Sequence, residues 1–321
     1  MTSPKQTGLF EEISTEHNWP KPVNVSSVPQ RSPFRYPGGK TWFVPTFREW
    51  IKQMHPKPKI LVEPFVGGGI ISLTALFENL VDNVIMVELD KEIAAVWQAV
   101  VNGHANWLAK SILEFDLTRD SVIKEISRSP RNIQEQAFQT ILKNRTFHGG
   151  ILAEGSGLLK YGENGKGIKS RWYPITLARR FENLNLIKNR IDFRNKDGMD
   201  IIQEFAKITK VIFFIDPPYT AGGKKAGKRL YRYCNLDHSR LFSLCKSISG
   251  DFLLTYDNAP EVQKMARDHG FQMRLIPMKN THHATIEELV IGKNLLWMDR
   301  FPAVYEPRKE YCVLKSIKKN E

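Results

Sequence analysis

The tetrapeptide Asp216-Pro217-Pro218-Tyr219 follows the apolar run Val211–Ile215 and combines a carboxylate, two prolines and an aromatic ring. The carboxylate accepts hydrogen bonds, while the prolines fix φ and lack a backbone N–H, so the local carbonyls point in defined directions. Such a site can hold an exocyclic amine between the carboxylate and a carbonyl, with the base stacked on Tyr219. Asp-Pro and Pro-Pro also form ordinary turns, which is the alternative interpretation.

A glycine turn at Gly67-Gly68-Gly69 lies between the strand signal that ends at Glu63 and a helical stretch that begins at Ile70. Glycines at such a turn let a ligand approach the backbone closely. Glu88 ends the next predicted strand, about 20 residues after the turn, where an acid commonly binds ribose hydroxyls. The pair predicts a nucleoside-containing cofactor and leaves open whether it is a dinucleotide or S-adenosylmethionine.

The segment Gly39-Lys40-Thr41 resembles the end of a phosphate-binding loop. A complete loop of that kind needs a glycine where Phe34 stands and a strand in front of it. Neither is present, so the sequence does not predict a nucleotide triphosphatase.

These residues belong to a predicted α/β pattern of short apolar runs separated by helices. Helices are predicted over 70–79 and 90–101, and residues 102–188 are mostly helical, polar and interrupted by glycines. The sequence therefore predicts one parallel α/β domain with a large insertion after its second strand. Strands are predicted at Lys59–Val62, Asn83–Val87, Arg190–Arg194, Val211–Ile215, Phe252–Tyr256, Phe271–Ile276 and Glu288–Ile291.

The composition indicates a globular, basic protein. The 321 residues are 41% hydrophobic and 25% charged, with a formal net charge of +13. This charge favours a polyanionic partner, most simply nucleic acid. Apolar runs are too short to span a bilayer, and no secretory signal is expected. Three cysteines without a CxxC pair predict no disulfide framework, no structural zinc and a cytoplasmic setting.

Four motifs, taken in chain order, resemble the D12 class of DNA adenine-N6 methyltransferases, the family that includes the Dam enzymes. They are FRYPGGK (34–40), EPFVGGG (63–69), the acid in VELDKEI (87–93) and DPPY (216–219). Residues 143–150 and 287–291 match the family more loosely. The resemblance implies a Rossmann-like methyltransferase sheet, mostly parallel with a late antiparallel hairpin strand, plus an inserted, mainly helical target-recognition domain.

The domain boundaries that this resemblance implies place the catalytic domain at 34–101 and 189–300 and the target-recognition domain at 102–188. Residues 1–33, which contain five prolines, are expected to form a flexible leader. Residues 301–321 are expected to form a C-terminal tail.

The resemblance also implies roles for individual residues. S-adenosylmethionine would contact Tyr36, Pro37 and Lys40, with Phe65 and Gly67 at its methionine end. Glu88 would bind its ribose, Asp197 would lie near its adenine, and Asp216 would also contact the cofactor. The catalytic set would hold the target amine beside the methyl group and stack on the base; it comprises Asp216, Pro217, Pro218 and Tyr219. No metal is required.

Adenine N6 lies inside the duplex stack, so the enzyme would have to flip the nucleotide out of duplex DNA. Two basic segments are candidates for the DNA contacts. Residues 220–236 have no acidic side chain, and residues 160–194 have nine basic and three acidic ones. In the second segment, Arg171-Trp172-Tyr173 and Arg179-Arg180 are the candidates for phosphate or base-edge contacts. A solvated charged face is the alternative for each segment. The DNA-binding candidates are Lys224, Lys225, Lys228, Arg229, Arg171 and Arg179.

Two other functions fit part of this pattern. A cytosine-N4 methyltransferase uses the same amine chemistry, although such enzymes usually carry serine in place of Asp216. A non-catalytic DNA-binding protein with a degenerate cofactor pocket is the other alternative, which the intact Glu88, Lys40 and Asp216 oppose. The resemblance also allows a cognate restriction endonuclease that acts on the same site as a partner.

Overall fold

The computed structural model describes residues 22–36, 38–153, 155–162, 165–218, 236–279 and 285–300. One sheet of seven strands forms the centre of the fold. In chain order the strands are β1 (Ile60–Glu63), β2 (Asn83–Val87), β3 (Ile191–Arg194), β4 (Val211–Ile215), β5 (Asp251–Asp257), β6 (Gln272–Lys279) and β7 (Thr285–Gly292).

The strands are arranged in the order β3-β2-β1-β4-β5-β7-β6. The first five are parallel, and β7 pairs antiparallel with both β5 and β6. This confirms the predicted fold class, a mostly parallel α/β sheet with a late antiparallel hairpin. The chain reverses direction along the sheet between β1 and β4, and open α/β sheets bind ligands beyond the strand ends at such a point.

Helices cover both faces of the sheet. In the described part of the chain they are α1 (Val44–Lys52), α2 (Ile70–Phe77), α3 (Lys91–Val101), α4 (Ala105–Glu114), α5 (Arg119–Ser127), α6 (Ile133–Thr146), α7 (Pro174–Ile187), α8 (Gly198–Phe205), α9 (His238–Ser247) and α10 (Pro260–Asp268). None of these helices combines the length and apolar character that crossing a bilayer requires.

The strand β4 shows why the apolar runs become central strands. All five of its residues are buried, as expected for a parallel strand that is covered on both faces. Successive side chains alternate between the two faces, so Phe214 joins the first of two hydrophobic cores and Phe213 joins the second. The first core lies under α1, α2 and α3, and the second lies under α8, α9 and α10.

The insertion is helical, as predicted, and it shares the first hydrophobic core. Leu108 of α4, Ile141 of α6 and Phe181 of α7 belong to the same buried cluster as Val84 of β2 and Trp97 of α3. The helices of residues 102–188 therefore pack against α3 and one another on one side of the central sheet.

Residues 22–33, which were assigned to the flexible leader, pack on this fold. Val28 is buried in the first core, and Arg31 forms an ion pair with Glu78 at 2.7 Å. The Arg180 guanidinium donates to the carbonyl of Ser32 at 2.8 Å. Apolar burial and these side-chain contacts outweigh the irregular, proline-rich local sequence. Residues 1–21 and 301–321 lie outside the described residues.

Candidate active site

A cavity of about 620 Å³ opens beyond the ends of β1, β2 and β4. This volume is in the range that accommodates a small ligand or cofactor. Eight of the residues singled out in the sequence line it together: Tyr36, Lys40, Phe65, Glu88, Asp197, Asp216, Pro218 and Arg171. The topological switch point between β1 and β4 thus brings together side chains from segments that are far apart in the chain.

The glycine turn forms the floor beside Tyr36. Gly67 has φ of +45° and Gly69 has φ of +66°, a region that side chains disfavour. A Cβ atom at Gly67 would lie 2.5 Å from a ring carbon of Tyr36. The indole N–H of Trp97 donates to the Gly67 carbonyl at 3.0 Å. The turn requires glycine because its backbone is bent and because the Tyr36 ring lies directly on it.

The Glu88 carboxylate is fixed by two backbone donors. It accepts from the N–H of Gly67 at 3.0 Å and from the N–H of Asp90 at 2.9 Å. Burial, together with the nearby Asp90 charge, raises the pKa of Glu88 to about 7 despite these hydrogen bonds. Each carboxylate oxygen has two lone pairs, so further acceptor capacity stays available for a ligand hydroxyl.

The Lys40 ammonium group forms ion pairs with Asp216, which follows β4, and with Glu288 of β7. Its side chain is 4% exposed, and Nζ lies 2.8 Å from Oδ1 of Asp216 and 3.6 Å from Oε2 of Glu288. It also donates to the Gly38 carbonyl at 3.1 Å. Burial opposes the charged form, but the two carboxylates outweigh burial and raise the pKa of Lys40. The lysine therefore stays an ammonium ion in the interior.

Asp216 directly follows the last residue of β4 and lines the cavity, and its side chain is 20% exposed. Its Oδ1 accepts from the Thr255 hydroxyl at 2.8 Å as well as from Lys40. Pro217 is buried and Pro218 lines the cavity. Two donors on one oxygen orient the carboxylate, as a group that must align a substrate amine requires.

Three supporting residues were given no role in the sequence analysis. Glu63, the last residue of β1, is buried and accepts from both the N–H and the hydroxyl of Ser72, and burial raises its pKa to about 8. Glu288 reaches Lys40 from β7, and Thr255 reaches Asp216 from β5. A sequence signal existed for Glu288, because this acid precedes the buried run Leu289–Ile291 in a strand.

Asp197 and Phe65 line the same cavity with local structural roles. Asp197 is the N-cap of α8 and accepts from the N–H of Met199 at 2.8 Å. Phe65 packs against the second hydrophobic core.

The candidate DNA-binding residues divide into three groups. Arg171 lines the cavity, whereas Arg179 is exposed on α7 and does not. The others lie outside the described residues, as do Pro37 and Tyr219: Lys224, Lys225, Lys228 and Arg229.

Comparisons with solved structures find similar chains at low sequence identity, including two methyltransferase structures. A proposed RNA methyltransferase from Pyrococcus horikoshii is 14% identical, with 81% of this chain and 84% of that chain covered and a TM-score of 0.37. An rRNA methyltransferase from Streptomyces viridochromogenes is 12% identical, with 84% and 93% covered and a TM-score of 0.38. No match was found among curated protein sequences.

A family comparison is more specific. The family described as D12 class N6 adenine-specific DNA methyltransferase matches residues 36–147. The match begins at Tyr36 and includes Lys40, the glycine turn and Glu88, which the structure brings to one cavity. The match to this family is confined to residues 36–147, about a third of the 321 residues.

Proposed function

We propose that this transferase moves the methyl group of S-adenosylmethionine to the exocyclic N6 of an adenine that is flipped out of a specific duplex DNA sequence. The observation that carries the proposal is the Asp216 carboxylate, held by Lys40 and Thr255 at the end of β4 in the cavity that Glu88 also lines. An amine acceptor and a ribose acceptor in one cleft are what a methyl transfer between two nucleosides needs.

The residues in the cavity fit S-adenosylmethionine. Its sulfonium and ammonium groups are cationic, and the lining includes the carboxylates of Glu63, Glu88, Asp90, Asp197 and Asp216. The acceptor capacity of Glu88 suits the ribose hydroxyls. Tyr36 and Phe65 supply apolar walls, and the bare backbone of the glycine turn permits close approach. When bound, the cofactor supplies an electrophilic methyl group that needs no further activation.

The protein's part in the reaction is then to orient the amine. The N6 lone pair is shared with the purine ring, which makes the nitrogen a weak nucleophile. Acceptors at the Asp216 carboxylate and the Pro217 carbonyl would bind the two N–H groups and favour a pyramidal nitrogen with a localised lone pair. Alignment of this kind can lower the free-energy barrier to methyl transfer by several kcal/mol. Tyr219 follows in the sequence, and stacking on it would return about 1–3 kcal/mol of the cost of flipping.

The competing functions predict different products. Methyl transfer from tritiated S-adenosylmethionine to unmethylated DNA, followed by identification of the modified nucleoside, separates them. We expect N6-methyladenine. Recovery of N4-methylcytosine alone would establish the cytosine alternative. No transfer and no cofactor binding would favour the non-catalytic DNA-binding protein.

The wider setting follows from the same proposal. Duplex DNA is the macromolecular partner, and the low cysteine content predicts the cytoplasm as the location. A restriction endonuclease with the same target site stays a prediction of the family resemblance. Sequencing methylated DNA from an expressing host would define that site.

A further inference from the structure

Four arginines line one part of the cavity that contains Asp216: Arg35, Arg145, Arg171 and Arg180. We call these residues the arginine cluster. They come from the segment before Tyr36, from α6, from the turn before α7 and from α7. The sequence analysis assigned a DNA-binding role to Arg171 and Arg180 but not to Arg35 or Arg145.

The cluster places three half-buried arginines near the buried Arg145. Arg145 is 4% exposed, and burial is the main cause that lowers its pKa to about 9, followed by the charges of Arg180, Arg35 and Arg171. Burial also lowers the pKa of Arg180 and, together with Arg171, that of Arg35. Like charges held together away from water are unfavourable unless an anion joins them.

The hydrogen bonds of Arg145 and Arg180 within the described residues leave donors of these two guanidinium groups unused. Arg145 donates through Nη2 to the Pro33 carbonyl, and Arg180 donates through Nη1 to the Ser32 carbonyl at 2.8 Å. Nε of Arg145 is buried and has no acceptor among the described residues. Within the same described ranges, no ion pair joins Arg35, Arg145 or Arg180 to a carboxylate.

The backbone around Arg35 is held in place by the insertion. The Asn144 side chain, fully buried on α6, accepts from the N–H of Arg35 and donates to its carbonyl, both at 2.8 Å. It also donates to the Gly150 carbonyl at 2.8 Å. These hydrogen bonds of Asn144 fix the backbone of Arg35 beside the cavity, although the Arg35 side chain is only half-buried.

We propose that the arginine cluster binds a phosphodiester group of the DNA strand that carries the flipped adenine. This inference rests on the proposed function and adds to it the place where the backbone of that strand is held. Arginine forks match phosphate oxygens in charge and in bidentate geometry. A base edge offers only dipoles, whereas a phosphate also offers a negative charge to Arg35, Arg145 and Arg180, which pair with no carboxylate among the described residues, so phosphate suits the site better.

A purely structural clamp is the competing explanation, because Arg145 and Arg180 also hold residues 32–33. The two explanations differ in the effect of removing charge. If the cluster exists for an anion, neutralising one member relieves repulsion in the free protein and weakens DNA binding. If it is only a clamp, neutralisation lowers the stability and leaves the electrostatics of DNA binding unchanged.

Arg35→Gln and Arg180→Gln are the test variants, and Arg267→Gln is the matched control. Arg267 is exposed on α10 and is not among the residues that line the cavity. The affinity for fluorescein-labelled duplex DNA carrying the methylated site is measured over a range of salt concentrations, with S-adenosylhomocysteine affinity as a check of the fold. Thermal unfolding of each free variant is measured alongside.

We expect each test variant to bind DNA about tenfold more weakly than the control, and its slope of log K against log salt to be shallower by about 0.9. Arg35→Gln should have an unchanged or higher Tm because its side chain makes no hydrogen bond within the described residues. Wild-type Tm should rise with inorganic phosphate at constant ionic strength, and this rise should shrink in both test variants.

Slopes equal to that of Arg267→Gln, in a protein whose wild type binds and methylates DNA, would overturn the inference while leaving the proposed function intact. A lower Tm in both test variants with unchanged slopes would establish the clamp instead. Weaker binding with an unchanged slope would indicate a base-edge contact and would also overturn the phosphate assignment. Failure of the wild type to methylate DNA would refute the proposed function itself.

Discussion

Replacing Asp216 by asparagine changes the charge at the centre of the cleft and leaves its shape nearly intact. In the wild type, Oδ1 of Asp216 accepts from Lys40 and from Thr255, each at 2.8 Å. An amide oxygen can accept the same two bonds. The variant loses the Coulomb attraction between Lys40 and Asp216, which is about 6 kcal/mol at an effective dielectric constant of about 20. It keeps the attraction between Lys40 and Glu288, which is about 5 kcal/mol at 3.6 Å.

The stability of the variant follows from this partial loss. Breaking a buried ion pair from one side costs about 3–5 kcal/mol. Because Glu288 still faces Lys40, we expect the free energy of unfolding in urea to fall by about 3 kcal/mol, the lower end. Asp192→Asn is the matched control, since it removes an exposed carboxylate that pairs with Arg194. We expect that control to change stability by about 0.5 kcal/mol or less.

The effect on turnover tests the chemical role. A charge-assisted hydrogen bond is worth about 1.5–3 kcal/mol and a neutral one about 0.5–1.5 kcal/mol, so the typical difference predicts that kcat falls about tenfold. Asp216→Ala, which removes the acceptor, should abolish methyl transfer and leave DNA affinity largely intact. Single-turnover transfer from tritiated cofactor measures the rate of methyl transfer by both variants. If Asp216→Asn retains a rate within a few-fold of the wild type while folded, the proposed role of this carboxylate is wrong.

Three further predictions concern stability, the cofactor and DNA. Folding raises the pKa of Glu63 from 4.5 to about 8, so the native state binds more protons than the unfolded state between these pH values. The free energy of unfolding should therefore fall as pH rises from about 5 to 8, and Glu63→Gln should flatten this dependence on pH. An unchanged dependence in the variant would contradict the argument. Gly67→Ala should weaken S-adenosylhomocysteine binding and cost more stability than Gly270→Ala, since both glycines have positive φ but only Gly67 faces the Tyr36 ring; equal losses in a urea titration would refute the steric argument. The last prediction concerns four basic residues that are neutralised together: Lys224, Lys225, Lys228 and Arg229. The slope of log K against log salt should fall by about 0.9 per phosphate contact, and an unaltered slope would exclude these residues from the DNA interface.

The strands were predictable because their signals are local. The run Val211–Ile215 matches β4 residue for residue, since a central parallel strand needs apolar side chains on both faces. The glycine turn was equally visible, because glycine adopts the positive φ of Gly67 and Gly69 without the steric cost of a Cβ atom. Residues 22–33 were harder to interpret, because their order depends on partners such as Glu78 and Arg180 that lie far away in the chain.

The sequence by itself determined the class of fold, the order of its motifs and the types of group that meet a nucleoside and an amine. Tertiary structure alone decided which of those groups touch. Lys40, Asp216 and Glu288 come from three distant segments, and they meet only because β4 lies beside β5, which pairs with β7 in a register that aligns Asp257 with Glu288. Arg35 and Arg145 likewise meet through the packing of the insertion. Periodicity is a property of neighbouring residues, whereas an electrostatic contact depends on strand order and register, which local sequence does not encode.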